Sequence, residues 1–104
     1  MWARKIQFER SGGFGGLRTA VTVDLATLPP EKAQQIQDLI ESSTFFDLPS
    51  SLPGIGAGAD QFHYRLTIAG QDREHSIETT DAAAPEELRP LLRELTLLAR
   101  QSGR

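Results

Sequence analysis

His63 and His75 are the chain's two imidazoles, and each falls in a stretch where apolar and polar residues alternate. If those stretches pair as a hairpin the rings come near each other, and Asp60, Asp72, Glu74 or Glu78 would offer the third ligand that a metal needs. Against this, His63 shares the polar side of its stretch with Gln61, Arg65 and Thr67, where a solvated cross-strand residue is the ordinary outcome. No metal centre is expected, and no cofactor. No serine sits in a strand-to-helix elbow with a His and an acid following it, so a serine hydrolase is not supported. The chain has no cysteine, which removes thiolate nucleophiles, thiolate metal sites and disulfides. Glu86 and Glu87 are adjacent carboxylates, but they follow Pro85 at a helix start, where an anion complements the helix dipole without catalysis.

Glycine is the informative residue. Seven of the nine glycines fall in two clusters, Gly12, Gly13, Gly15 and Gly16, then Gly54, Gly56 and Gly58. Successive glycine N–H groups can cradle an anion, yet a phosphate loop needs Lys and Ser/Thr opening a helix, and a strand follows SGGFGG here. Phe14 stands alone between two glycine pairs. It either folds back over the sheet edge or, exposed on the loop, anchors in a partner's pocket. The second cluster carries Leu52 and Ile55 in a setting that cannot readily bury both, and reads as a mobile connection or as a contact loop.

The elements that must position these residues follow from periodicity. From Trp2 to Arg10 the apolar residues Trp2, Ile6 and Phe8 are even-numbered, and after SGGFGG the residues Leu17, Thr19, Val21, Val23 and Leu25 are odd-numbered. A period of two predicts two strands, joined as an antiparallel hairpin by a glycine-rich connection of about six residues. Pro29-Pro30 opens a helix with Ala33, Ile36, Leu39 and Ile40 on one stripe, ending near Ser43, after which Phe45, Phe46 and Leu48 lock its end onto the core. Residues 49–59 read as a long loop. Phe62, Tyr64, Leu66 and Ile68 mark a third strand, Gly70-Gln71-Asp72 a turn, and Arg73 to Thr79 a weaker fourth strand. Leu88, Leu91, Leu92, Leu95, Leu98 and Ala99 form the stripe of a final helix, in which Pro90 predicts a kink or restart and Gln101 to Arg104 fray. The order ββαββα predicts an α+β fold: a four-stranded antiparallel sheet with two helices packed on one face.

At 104 residues, 1–104 is expected to be one domain, too short for a cleft between domains. Eleven Lys plus Arg against fourteen Asp plus Glu give a net charge of −3, and the basic residues are dispersed along the sequence, which argues against a nucleic-acid partner. MWARKIQFER has no apolar run of signal-sequence length, and no stretch reaches a membrane span, so a cytoplasmic protein without a membrane role is expected.

Taken in order, a first strand ending in Arg10, SGGFGGLR (Ser11 to Arg18), the strand Val21 to Asp24, LPPEKA (Leu28 to Ala33), FFDLP (Phe45 to Pro49), FHYRLTI (Phe62 to Ile68) and APEELRPLL (Ala84 to Leu92) resemble the emfourin family. These are small bacterial cytoplasmic protein inhibitors, associated with protealysin, of thermolysin-like zinc metallopeptidases. The resemblance spans nearly the whole chain, but nothing carries over onto Ser50 to Ala59. It implies a non-enzymatic inhibitor that blocks the peptidase's active-site cleft with a loop. Thermolysin-like enzymes as a class favour a large apolar residue on the primed side of the scissile bond. The partner-binding residues so implied are Gly12, Gly13, Phe14, Gly15, Gly16 and Leu17, with Phe14 filling that pocket and Leu17 as a second candidate. A competing geometry inserts Leu52 and Ile55, with Asp60 approaching the enzyme's zinc. The free chain is expected to be monomeric. The alternative reading is a protein-interaction or self-assembly module that uses the exposed sheet face or an edge strand.

Overall fold

A computed structural model of the chain describes residues 3–12, 17–51, 62–80 and 83–102, excepting the side chains of Leu17 and Ser102. The α+β fold is the expected one. Strands β1 (Ala3–Gly12), β2 (Leu17–Asp24), β3 (Phe62–Gly70) and β4 (Glu74–Thr80) form one antiparallel sheet in the order β2-β1-β3-β4. Helices α1 (Pro30–Ser42) and α2 (Arg89–Ser102) lie on one face. Register decides which residues share that face. Val23, Ile6, Ile68 and His75 make one cross-sheet row, and Val21, Phe8, Leu66 and Ile77 make the next. These apolar residues pack beneath Ile36 and Ile40 of α1 and Leu91, Leu92, Leu95 and Ala99 of α2 in a single core cluster. On the other face, Glu9, Arg65 and Glu78 line up beside the row Gln7, Thr67 and Ser76. The period of two read from the sequence is this division.

Several boundaries move, each for a local reason. Ser11 and Gly12 belong to β1 and Gly12 pairs with Leu17, so the connection between the first two strands is residues 13–16 rather than the six of SGGFGG. β2 ends at Asp24, whose carboxylate caps a 3-10 turn at Leu25–Thr27 by accepting from the Ala26 N–H at 3.0 Å. The second helical segment restarts as Pro90 required: a 3-10 turn, Glu86–Leu88, precedes α2, and Pro90 sits in the first turn of α2, where its missing N–H has no intrahelical acceptor. Gln101 and Ser102 remain helical instead of fraying. Ser51 forms a parallel bridge with Glu78, so the stretch after Pro49 is tied to the β4 edge before reaching the residues not described. Trp2 lies outside the described residues.

One end of the sheet is tightly closed. The register between β1 and β3 slips between Ala3 and Lys5, which moves Ala3 to the buried side although its number is odd. The slip takes the peptide groups of Ala3 out of the regular ladder, and buried Gln37 of α1 serves both: the Ala3 N–H donates to its Oε1 at 3.2 Å and its Nε2 donates to the Ala3 carbonyl at 2.7 Å. Beyond α1, Thr44 turns the chain with φ 50°, dropping Phe45 into the core. The Phe45 ring meets Phe46 edge-on at 5.4 Å and His75 at 5.4 Å, and Arg73 stacks on Phe46 at 4.7 Å. His75 Nε2 donates to the Leu48 carbonyl at 2.6 Å. The FFDLP segment thus locks the helix end as expected, with a histidine as its keystone.

Candidate functional site

The opposite end of the sheet is where the glycine-rich segments begin and finish. Gly12 ends β1 with φ 95°, a left-handed backbone that favours a residue without Cβ. It pairs with Leu17 on one side and Phe62 on the other, so one row joins the exit from β1, the start of β2 and the start of β3. The chain therefore enters and leaves residues 13–16, and re-enters the sheet after residues 52–61, at neighbouring positions. The two segments that the sequence offered as competitors have adjacent anchors. Of the anticipated contact residues, Gly12 is described here, as is the backbone of Leu17. Gly13, Phe14, Gly15 and Gly16, and Leu52, Ile55 and Asp60, lie outside the described residues.

Behind that row the anchors are paired with one another. Ser11 pairs with Arg18 and with His63, and His63 with Thr80. On the open face Arg18 forms an ion pair with Glu9, and Arg65 Nη2 lies 3.1 Å from Glu78 Oε2. At the β4 edge the Glu78 N–H donates to the Ser50 carbonyl at 3.0 Å, which fixes where the chain departs towards residue 52. β1 is hydrogen-bonded on both sides, so the strand leading into the first segment is held along its length.

The two histidines are not brought together. His63 pairs with Thr80 near one end of the β3–β4 ladder, whereas His75 pairs with Ile68 near the other, and they face opposite sides of the sheet. The turn after Gly70 sets this register: in an antiparallel pair a residue meets its mirror image about the turn, and these two are not mirror positions. His63 is exposed, and His75 is spent on Leu48 and the phenylalanines. Among the described residues no group of His, Asp or Glu is arranged to hold a metal ion, and no helix is long and apolar enough to cross a membrane.

Sequence reasoning missed Arg10. Its even number places it on the helix side with Ile6 and Phe8, and its guanidinium stacks on the Phe62 ring, 3.6 Å from the centroid. It lines a pocket of about 360 Å³ between the sheet end and α2, to which α2 contributes Arg89, Arg93 and Arg100. The basic residues are dispersed in sequence but four of them converge here. The signal was available: 89, 93 and 100 share a helical face, and the parity of Arg10 contradicts its charge.

A family model described as Emfourin matches residues 8–96, from Phe8 in β1 to Thr96 in α2. The chain belongs to the emfourin family. The matched stretch includes all four strands in whole or part, α1, and both glycine-rich segments. Among solved structures the chain is similar to emfourin (M4in) from Serratia proteamaculans, an M4 family peptidase inhibitor, at 22% identity over 85% of this chain and 84% of that one, with a TM-score of 0.47. No curated protein matches the sequence. For an emfourin-family chain the sheet end around Gly12 is the candidate partner site, because it anchors the two segments whose composition is least explained by folding alone.

Proposed function

We propose that this emfourin-family chain is a protein inhibitor, not an enzyme, whose partner is a thermolysin-like zinc metallopeptidase and which enters the active-site cleft with a loop. The observation that carries the reading is the family match over residues 8–96. An inhibitor gains affinity when the inserted segment is ordered before binding, since ordering it on contact opposes association. Supporting this, the β1–β2 hairpin enters its connection from a strand paired on both sides, at a glycine whose left-handed φ suits the turn. In this reading Gly12, Gly13, Phe14, Gly15, Gly16 and Leu17 form the inserted segment and Phe14 fills the enzyme's apolar pocket. Leu52, Ile55 and Asp60 contribute beside it, a view supported by the pairing of Phe62 with Gly12. The free inhibitor is read as a cytoplasmic monomer that needs no cofactor. The open sheet face carries Lys5, Gln7, Glu9, Arg65, Thr67 and Glu78, a polar surface that does not favour the self-assembly alternative.

The test is direct. Purified protein is mixed with a thermolysin-like enzyme and a peptide substrate, and hydrolysis is expected to fall in proportion to added inhibitor until it stops near equimolar amounts. Unchanged hydrolysis under an excess of the chain would refute the reading.

A further inference from the structure

Folding accounts for part of the arginine-lined pocket, since Arg89 Nε donates to the Ala84 carbonyl at 3.3 Å and Arg10 stacks on Phe62, but it leaves Arg93 and Arg100 without such a role among the described residues. Arg10 Nε is buried and has no hydrogen-bond partner among the described residues. Arg89 occupies the first position of α2 and Arg93 follows one turn later, where the positive end of the helix dipole disfavours cations. Arg89 and Arg93 are also four residues apart, a like-charge spacing that weakens a helix. The helix dipole therefore opposes Arg89 and Arg93 and favours only Arg100, in the last turn, in a chain that is acidic overall. Among the described residues no carboxylate lines the pocket, and none of their ion pairs uses Arg10, Arg93 or Arg100. The remaining walls are Ala84, Leu92, Thr96, the ring of Tyr64, and Leu97, the one large hydrophobic side chain exposed among the described residues.

We propose that this pocket binds a small organic oxyanion, a phosphorylated or carboxylated molecule whose charged group meets the guanidiniums of Arg10, Arg93 and Arg100 and whose apolar body lies against Leu97 and Tyr64. A volume of about 360 Å³ lies within the range of small-molecule sites and exceeds what a bare phosphate fills. Arginine is the suitable cation, because its planar fork meets phosphate or carboxylate with two parallel hydrogen bonds. The stack of Arg10 on Phe62 fixes one fork in advance, so little of its freedom remains to be lost on binding. The proposal is independent of peptidase inhibition.

The experiment is an amide NMR titration of the full chain with phenyl phosphate, phenylacetate, inorganic phosphate and uncharged phenol. Saturable shifts at Tyr64, Leu92, Thr96 and Leu97 are expected with one or both aryl anions, weaker ones with inorganic phosphate, and none with phenol. Comparing the two aryl anions distinguishes phosphate from carboxylate. Arg10→Met should weaken binding by about tenfold or more, the loss of one charge-assisted contact. Arg93→Gln and Arg100→Gln, both at exposed helix positions, serve the same purpose if the Arg10 variant does not fold. Leu97→Ala should weaken the aryl anions while leaving inorganic phosphate unaffected. The proposal is overturned if millimolar anion produces no saturable shift at these amides, if the shifts are indifferent to all three arginine substitutions, or if a single-stranded oligonucleotide binds there and the small anions do not.

Discussion

The two ends of the sheet are built on opposite principles. At the end near Ala3 every irregularity is answered: the slipped register is met by Gln37, the tight turn at Thr44 delivers Phe45 into the core, and His75 closes the segment by bonding to Leu48. At the end near Gly12 the strands terminate at Gly12, Leu17, Phe62 and Thr80, and the buried Nε of Arg10 has no acceptor among the described residues. The satisfied irregularities lie at the closed end, and the other end is the contact surface proposed above. A binding surface and a core make incompatible demands on side chains, and an elongated sheet with strands of up to ten residues lets the two be met some distance apart.

That contrast can be broken or sharpened by substitution. The largest effect is expected from Phe45→Ala, which empties a fully buried site and should cost about 3–5 kcal/mol in chemical denaturation. Its inhibition of a peptidase, per folded molecule, should be preserved. Phe14→Ala is the converse: inhibition should weaken by about 2 kcal/mol or more while the thermal midpoint stays nearly fixed. A sharp fall of that midpoint would mean that Phe14 belongs to the core and would erase the contrast. Thr44→Gly should stabilise the closed end by about 1 kcal/mol, because the Cβ of a threonine at φ 50° crowds its own backbone, with no change in inhibition. The smallest effect should come from Arg65→Ala, which removes an ion pair between side chains that are 62% and 61% exposed and should shift stability by less than about 1 kcal/mol.

Local pattern carried most of the fold. The alternation of Phe62, Tyr64, Leu66 and Ile68 and the stripe from Leu88 to Ala99 predicted their elements because burial of one face imposes the period directly. What depends on distant partners was not legible. Gln37 is polar beside Ile36, and nothing local announces that a peptide group at Ala3 will need it. The adjacency of the two glycine-rich segments rests on the pairing of Gly12 with Phe62, a contact between residues far apart in sequence. The separation of the histidines was not legible, because hairpin register, not strand identity, decides which side chains meet. Arg10 was an avoidable omission, since its parity alone placed it on the helix-covered side of the sheet. The glycine composition pointed to the same end of the sheet that the family resemblance did.

The central position of β1 also governs the order in which the protein can assemble. β1 and β2 are neighbours in sequence and can pair early, but the second partner of β1 is β3, whose pairing of Ile68 with Ile6 must close most of the chain into a loop. The apolar side of the early hairpin, with Phe8 and Val23, is covered only when α2 packs over it. A ribosome-bound intermediate ending before α2 would therefore display an unsatisfied hydrophobic ribbon. Deleting α2 should make the chain self-associate.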